Sequence, residues 1–187
     1  MNKKYELTDE TKVIGGITLH RIRALMDISR YGVRAGDIGG WIEAESNLPQ
    51  YGNAWVSDDA RVSGDAKVYG DARVYGNAEV SGNAVVCVAA RVYGDAEVNG
   101  NAEVSGNAEV KSIRDYAVFK NGWSSGRWFT YTRSNRMWRV GCFHGTGEEL
   151  IAKAYKDSEL SGKCYEAIVR AQEAIDRAID EKEGDTK

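Results

Sequence analysis

The sequence predicts a mainly β protein built on a parallel β-helix, with a β cap before it and a β-hairpin plus two α-helices after it. Three observations lead there. Residues 52–111 are ten consecutive six-residue units: GNAWVS, DDARVS, GDAKVY, GDARVY, GNAEVS, GNAVVC, VAARVY, GDAEVN, GNAEVS and GNAEVK. Every unit has Ala third and Val fifth, eight of the ten open with Gly, and nine carry Asn or Asp second. From residue 146 onward the hydrophobic period becomes helical. A fixed six-residue repeat matches neither a 3.6-residue helix nor a free strand, and it is a signature of β-helical solenoids.

The hexad explains itself locally. Ala and Val, two apart, point to the same side of a short strand, and the residue between them points away. Gly with Asn or Asp follows at the corner, where positive φ is needed. If three units close one triangular coil, each residue stacks on the one eighteen later, at about the 4.8 Å spacing of a sheet. The outward columns are then Trp55, Arg73, Arg91 and Glu109; Arg61, Glu79 and Glu97; and Lys67, Val85 and Glu103. Arg73, Tyr75, Arg91 and Tyr93 fall on one face, as a tyrosine ladder and a candidate subunit interface. The unit VAARVY lacks the corner Gly and Asn/Asp, so Val88 with Val85 and Cys87 makes an apolar corner suited to another chain or to the C-terminal helix.

The pattern Val-x-Gly-[Asn/Asp]-Ala-x resembles the left-handed hexapeptide β-helix family. The stretch GDIGGWIEAESNL (36–48) followed by QYGNAWV is similar to a group of bacterial and prophage repeat proteins. The left hand is implied by the resemblance, because general chirality rules favour right-handed parallel crossovers. The resemblance also implies side-by-side homo-oligomers, trimers above all, and a phage- or prophage-like accessory role.

Net charge is −3 and unevenly spread: residues 1–51 balance, 52–110 carry −5, 111–145 carry +6 and 146–187 carry −4. Cys87, Cys142 and Cys164 are odd in number without CxxC spacing, which favours reduced thiols over a disulfide scaffold. The polar start and the lack of a long apolar run place the protein as soluble and cytoplasmic, in the infected host cell if phage-encoded, with no membrane partner.

Three segments follow: 1–51 as N-terminal β cap, 52–111 as solenoid, and 112–187 as hairpin and helices. KKYELT and ITLHRIRAL alternate as strands around the turn signal VIGGI. Gly39-Gly40 permit a tight bend, Trp41 and Ile42 are expected to cover the open apolar end of the solenoid, and Pro49 marks the stop before the repeats. DYAVFKNG suggests one irregular strand; RWFTYTRS and RMWRVGCF pair as a hairpin turning near Ser134-Asn135. Thr146 and Glu149 form a capping box for EELIAKAYKD. A longer helix carries Tyr165, Ile168, Val169, Gln172, Ile175 and Ile179 on one stripe, ending in a frayed EKEGDTK.

The binding candidate is the Arg/aromatic block: Arg127, Trp128, Tyr131, Arg133, Arg136, Trp138 and Arg139. Arginine forks suit phosphate or carboxylate, and Trp and Tyr offer stacking surfaces. A small nucleotide or a host protein fits this chemistry; duplex nucleic acid does not, because the repeats are acidic and no duplex-binding motif is present. No metal site, cofactor or catalytic residue is expected. The function predicted is a non-enzymatic binding protein, in one version a counter-defence inhibitor that blocks a host immune protein or sequesters its nucleotide signal. Two alternatives stand beside it. One is a hexapeptide-type acyltransferase with His144 as base, although the repeats hold no histidine and no interrupting loop. Cys142 and His144, two apart, would share a strand face as a thiol–imidazole pair. The other is a structural or virion component.

Overall fold

The computed structural model describes residues 3–184. The chain opens with strands β1 (Tyr5–Ile14) and β2 (Ile17–Ala24), an antiparallel hairpin in which Ile14 pairs with Ile17. That leaves a two-residue turn, Gly15-Gly16, with both φ positive at 56° and 82°, the geometry hairpin twist requires. Strand β3 (Ile38–Ile42) pairs antiparallel with β2.

Ten two-residue rungs follow: β4 (Trp55–Val56), β5 (Arg61–Val62), β6 (Lys67–Val68), β7 (Arg73–Val74), β8 (Glu79–Val80), β9 (Val85–Val86), β10 (Arg91–Val92), β11 (Glu97–Val98), β12 (Glu103–Val104) and β13 (Glu109–Val110). They stack in parallel as β4-β7-β10-β13, β5-β8-β11 and β6-β9-β12, a β-solenoid with the eighteen-residue register the hexads predict. Every hexad Ala and Val is buried in one continuous interior. The first position of each unit is left-handed even where Gly is missing, at Asp58 (φ 58°) and Val88 (φ 64°). Across coils Asn53 donates to Asp71 at 2.8 Å and Asn77 to Asp95 at 3.0 Å, while Arg61 pairs with Glu79 at 2.7 Å.

The lead-in differs from expectation. Strand β3 lies parallel to β5, with Trp41 opposite Arg61 and Ile42 opposite Val62, so a rung already forms inside the segment assigned to the cap. Trp41 therefore occupies the outward position and does not cover the apolar end; Lys12 Nζ lies 4.1 Å and the Arg21 guanidinium 4.8 Å from its ring. The cover comes from Tyr5, Ile22 and Leu48, together with Trp55. Trp55 holds the predicted column but is buried under the cap, edge-on to Tyr5 at 6.4 Å. A Cβ on Gly39 would sit 2.7 Å from Trp55 Cζ2 and 2.6 Å from Ile22 Cγ1, so that glycine admits the close approach.

The solenoid has polar ends. Each rung donates its N–H groups to the next coil, as Arg61 does to the Ala78 carbonyl at 2.9 Å. The first coil thus presents spare carbonyls and the last coil spare N–H groups, which must be satisfied. At the start, Lys4 Nζ donates to the Ala54 carbonyl at 3.0 Å, and Asn47 Nδ2 donates to Gly64 and Ala66, both at 2.9 Å. At the far end, Thr130 Oγ1 accepts from Glu103 N–H at 2.8 Å, Ser134 Oγ from Glu109 at 2.7 Å, and the Asp115 carboxylate from Lys111 at 2.8 Å.

The expected C-terminal hairpin is wider: β14 (Tyr116–Lys120), β15 (Trp128–Thr132), β16 (Met137–Val140) and β17 (Phe143–Gly145) form a four-stranded antiparallel sheet in chain order. One face, with Tyr116, Val118 and Thr130, closes the solenoid. The other, with Phe129, Tyr131 and Trp138, packs on two helices, α1 (Gly147–Asp157) and α2 (Glu159–Gly184). The Thr146–Glu149 capping box forms as expected: Thr146 N–H donates to Glu149 Oε2 at 2.8 Å. The buried stripe of α2 runs through Tyr165, Val169, Gln172 and Asp176; Ile175, expected on it, is 50 % exposed. The frayed end expected over 181–187 falls partly outside the described residues, and α2 continues to Gly184. Among the described residues no helix is long and apolar enough to cross a membrane.

Candidate functional site

The Arg/aromatic block does not form one surface, because strand alternation divides it. Tyr131 and Trp138 point to the helix side and are buried in the second core, so they are not stacking platforms for a ligand. Tyr131 donates its hydroxyl to the buried Asp176 carboxylate; burial, and then that carboxylate, push the phenol above its ordinary range. Arg133 and Arg136 both hold Asp180, at 2.5 and 3.1 Å, and the Arg133 hydrogen bond keeps that carboxyl below the usual range. Arg139 points the other way and binds Glu103 on the solenoid at 2.7 Å. These three arginines fasten the C-terminal unit. Trp128 is 43 % exposed at the sheet edge, with Lys120 Nζ 5.4 Å from its ring.

Arg127 has a different setting. It ends the loop 121–127, which Asn121 shapes: the Asn121 N–H donates to the Arg127 carbonyl at 2.8 Å, Asn121 Oδ1 accepts from Ser124 N–H at 2.9 Å, and Nδ2 donates to the Tyr165 hydroxyl at 3.0 Å. Asn121 is buried, so its amide ties the loop to α2. Trp123 wedges the same loop edge-on against Tyr165 at 5.1 Å. Between this loop and α1 opens a cleft of about 240 Å³. Arg127, Ser124 and Ser125 line one wall, Lys153 and Asp157 line another one helical turn apart, and Val140, Phe143 and Leu150 supply apolar surface. Leu150, Ile151 and Ala154 anchor α1 on the core, which leaves Lys153 and Asp157 on its exposed flank. The sequence reading found Arg127 and missed Lys153, Asn121, Ser124, Ser125 and Asp157. The capped, amphipathic α1 was the available signal, since its apolar side fixes which charges face outward.

The tyrosine face forms as its columns predict. Tyr75 and Tyr93 stack at 5.0 Å with planes 5° apart. Arg73 lies 4.7 Å from the Tyr75 ring and 5.5 Å from that of Tyr31. Arg91 pairs with Glu109 at 2.8 Å, and Tyr93 donates to the same carboxylate at 3.2 Å. Arg91, Tyr93 and Glu109 thus satisfy one another within the chain, whereas Arg73 meets rings only and its buried Nε has no hydrogen-bond partner. At the apolar corner, burial pushes the Cys87 thiol up, and Cys87 hydrogen-bonds Tyr69. Val88 remains 56 % exposed, so the C-terminal helices do not cover it.

Cys142 and His144 are not two positions of one strand. Cys142 lies in the turn between β16 and β17, and His144 lies within β17 opposite Arg139. The imidazole rests on the solenoid corner, where a Cβ on Gly106 would meet its Cε1 at 2.8 Å. Among the described residues no group of three or more His, Cys, Asp or Glu is placed to hold a metal ion.

A family model described as YdcK Beta solenoid repeat matches residues 66–82 and 72–87, at the middle of the hexads. No curated protein matches the chain. The matched residues support a β-solenoid repeat, the architecture of rungs β4 to β13.

Proposed function

We propose that this is a non-enzymatic binding protein, in which the solenoid is a stiff stand and the cleft beside α1 receives the anionic end of a small ligand. The observation that supports it most is the pairing of Arg127 with Lys153 in one cleft, while Arg133, Arg136 and Arg139 are occupied by Asp180 and Glu103. A guanidinium and an ammonium flanking serine hydroxyls suit a phosphate or carboxylate, and Val140 and Phe143 suit an apolar or planar neighbour to it. The cleft is smaller than the roughly 300–1,000 Å³ typical of whole-ligand pockets, so it takes the phosphate-bearing end of a nucleotide and leaves the remainder outside.

This chemistry agrees with the prophage-like resemblance: a counter-defence protein that sequesters a nucleotide signal needs an anion-binding cleft on a rigid body and no turnover. The test is isothermal titration of the full chain with linear and cyclic nucleotides and with inorganic phosphate. Binding that weakens at least tenfold in Arg127→Ala and in Lys153→Ala is expected. Absence of heat with every probe removes the nucleotide version, and binding indifferent to both substitutions removes the cleft.

A further inference from the structure

We infer that the cleft beside α1 selects a phosphodiester over a phosphomonoester, and that Asp157 makes the selection. The inference rests on the reading of this cleft as an anion site. Among the described residues three charged side chains line it: Arg127, Lys153 and Asp157. Two cations against one carboxylate leave a single positive charge. Lys153 and Asp157 stand four residues apart on one helix, as do Glu159 and Lys163, yet of these two couples only Glu159 and Lys163 pair, at 2.7 Å. The order of the residues explains the difference. An acid four residues before a base makes a better helical pair than the reverse, and Lys153 with Asp157 is the reverse. The Asp157 carboxylate is thereby left to the cleft that it lines.

Charge and oxygen count then sort the anions. A diester carries one negative charge, shared by two non-bridging oxygens. One oxygen suits the Arg127 guanidinium and the other the Lys153 ammonium. The two ester oxygens are uncharged and tolerate the apolar wall of Val140 and Phe143. A monoester has a third terminal oxygen and, near neutral pH, close to two charges. That further charge must lie against the apolar wall, where it loses hydration without a partner, or beside Asp157, where it is repelled. At a partly exposed site one such repulsion lowers affinity about tenfold. The ligand cannot evade the carboxylate. Lys153 and Asp157 share one helix, about 6 Å apart along its axis, so a phosphate drawn to the first stays near the second. The opposite wall is fixed as well, because Asn121 Nδ2 holds the loop to the Tyr165 hydroxyl at 3.0 Å. Specificity of this kind comes from a group placed against the wrong ligand.

Isothermal titration of the full chain tests the selection, with the cyclic 3′,5′-monophosphates and the 5′-monophosphates of adenosine and guanosine as probes. Each pair shares base and sugar and differs at the phosphate. At about pH 8 the monoester holds nearly two charges and the diester one, since the second phosphate proton leaves near pH 6. The expected result is that the wild type binds the cyclic diester about tenfold more tightly than the monoester. Asp157→Asn, an exposed and isosteric change, should tighten the monoester and bring the two probes together. Asp157→Glu, which keeps the charge, should retain the preference for the diester. Equal affinities in the wild type, a preference for the monoester, or a preference untouched by Asp157→Asn overturns the inference. Those outcomes leave the cleft itself standing where binding still weakens in Arg127→Ala and Lys153→Ala. Absence of binding by all four probes removes the cleft reading and the selection together.

Discussion

The backbone N–H of Glu103 donates to Thr130 Oγ1 at 2.8 Å, and this bond joins the last coil to the sheet that closes it. Glu103 belongs to a ladder whose N–H groups all point toward the C-terminal end, so its own donor has no further coil to bind. Replacing Thr130 by Val keeps the shape and removes the acceptor. An unsatisfied buried donor costs about 1–3 kcal/mol, so Thr130→Val lowers the urea midpoint with little change in slope.

Lys4 performs the mirror task at the other end, donating to the Ala54 carbonyl. Burial lowers its pKa from the ordinary 10.5 to about 8. The folded chain therefore releases this proton first. Between about pH 8 and 10.5 the unfolded chain binds more protons, and this group's contribution to stability rises with pH through that window. Below pH 8 the cost of the buried charge is fully present. Titration of the Lys4 side-chain resonances should place its midpoint near 8, well below the ordinary lysine value of 10.5.

Val88 occupies a left-handed corner, φ 64°, with a branched side chain that is 56 % exposed. A left-handed conformation costs an L-residue about 1–2 kcal/mol, and little burial is lost on removing this side chain. Val88→Gly should raise the thermal midpoint. Gly82→Val should lower it, because a Cβ there meets the Gly100 backbone nitrogen at 3.0 Å and φ is 68°. Differential scanning calorimetry of the two variants measures both signs.

The thiols should separate by exposure. Cys142 is exposed, Cys164 half-buried and Cys87 buried with its thiol pushed up. Iodoacetamide at neutral pH should label Cys142 first, then Cys164, and leave Cys87 intact until the chain unfolds. Peptide mass spectrometry reads the order.

The hexads were legible because one local rule repeats: Ala and Val two apart can face inward only if the corner returns every six residues, and eighteen-residue stacking follows. The columns from Arg61 to Glu97 and from Lys67 to Glu103 were thereby determined. Trp41 and Trp55 were not, since whether an outward position meets water depends on the path of a preceding hairpin, which no periodicity encodes. The Arg/aromatic block was misleading for a related reason. Composition brought Arg127, Arg133, Arg136 and Arg139 together, but strand alternation and the carboxylates of Asp180 and Glu103 divided them. Lys153 joined Arg127 only through tertiary packing, and α2 exchanged Ile175 for Asp176 on its buried side because Tyr131 supplied a hydroxyl there.

The three-column stack is the claim on which every other assignment rests, and scalar couplings across hydrogen bonds test it most directly. Couplings should appear from the Arg61 nitrogen to the Ala78 carbonyl carbon, from Lys67 to Ala84 and from Arg73 to Ala90, whose donor–acceptor distances are all 2.9 Å. Absent couplings, or couplings to residues at a different separation in sequence, would contradict the stack.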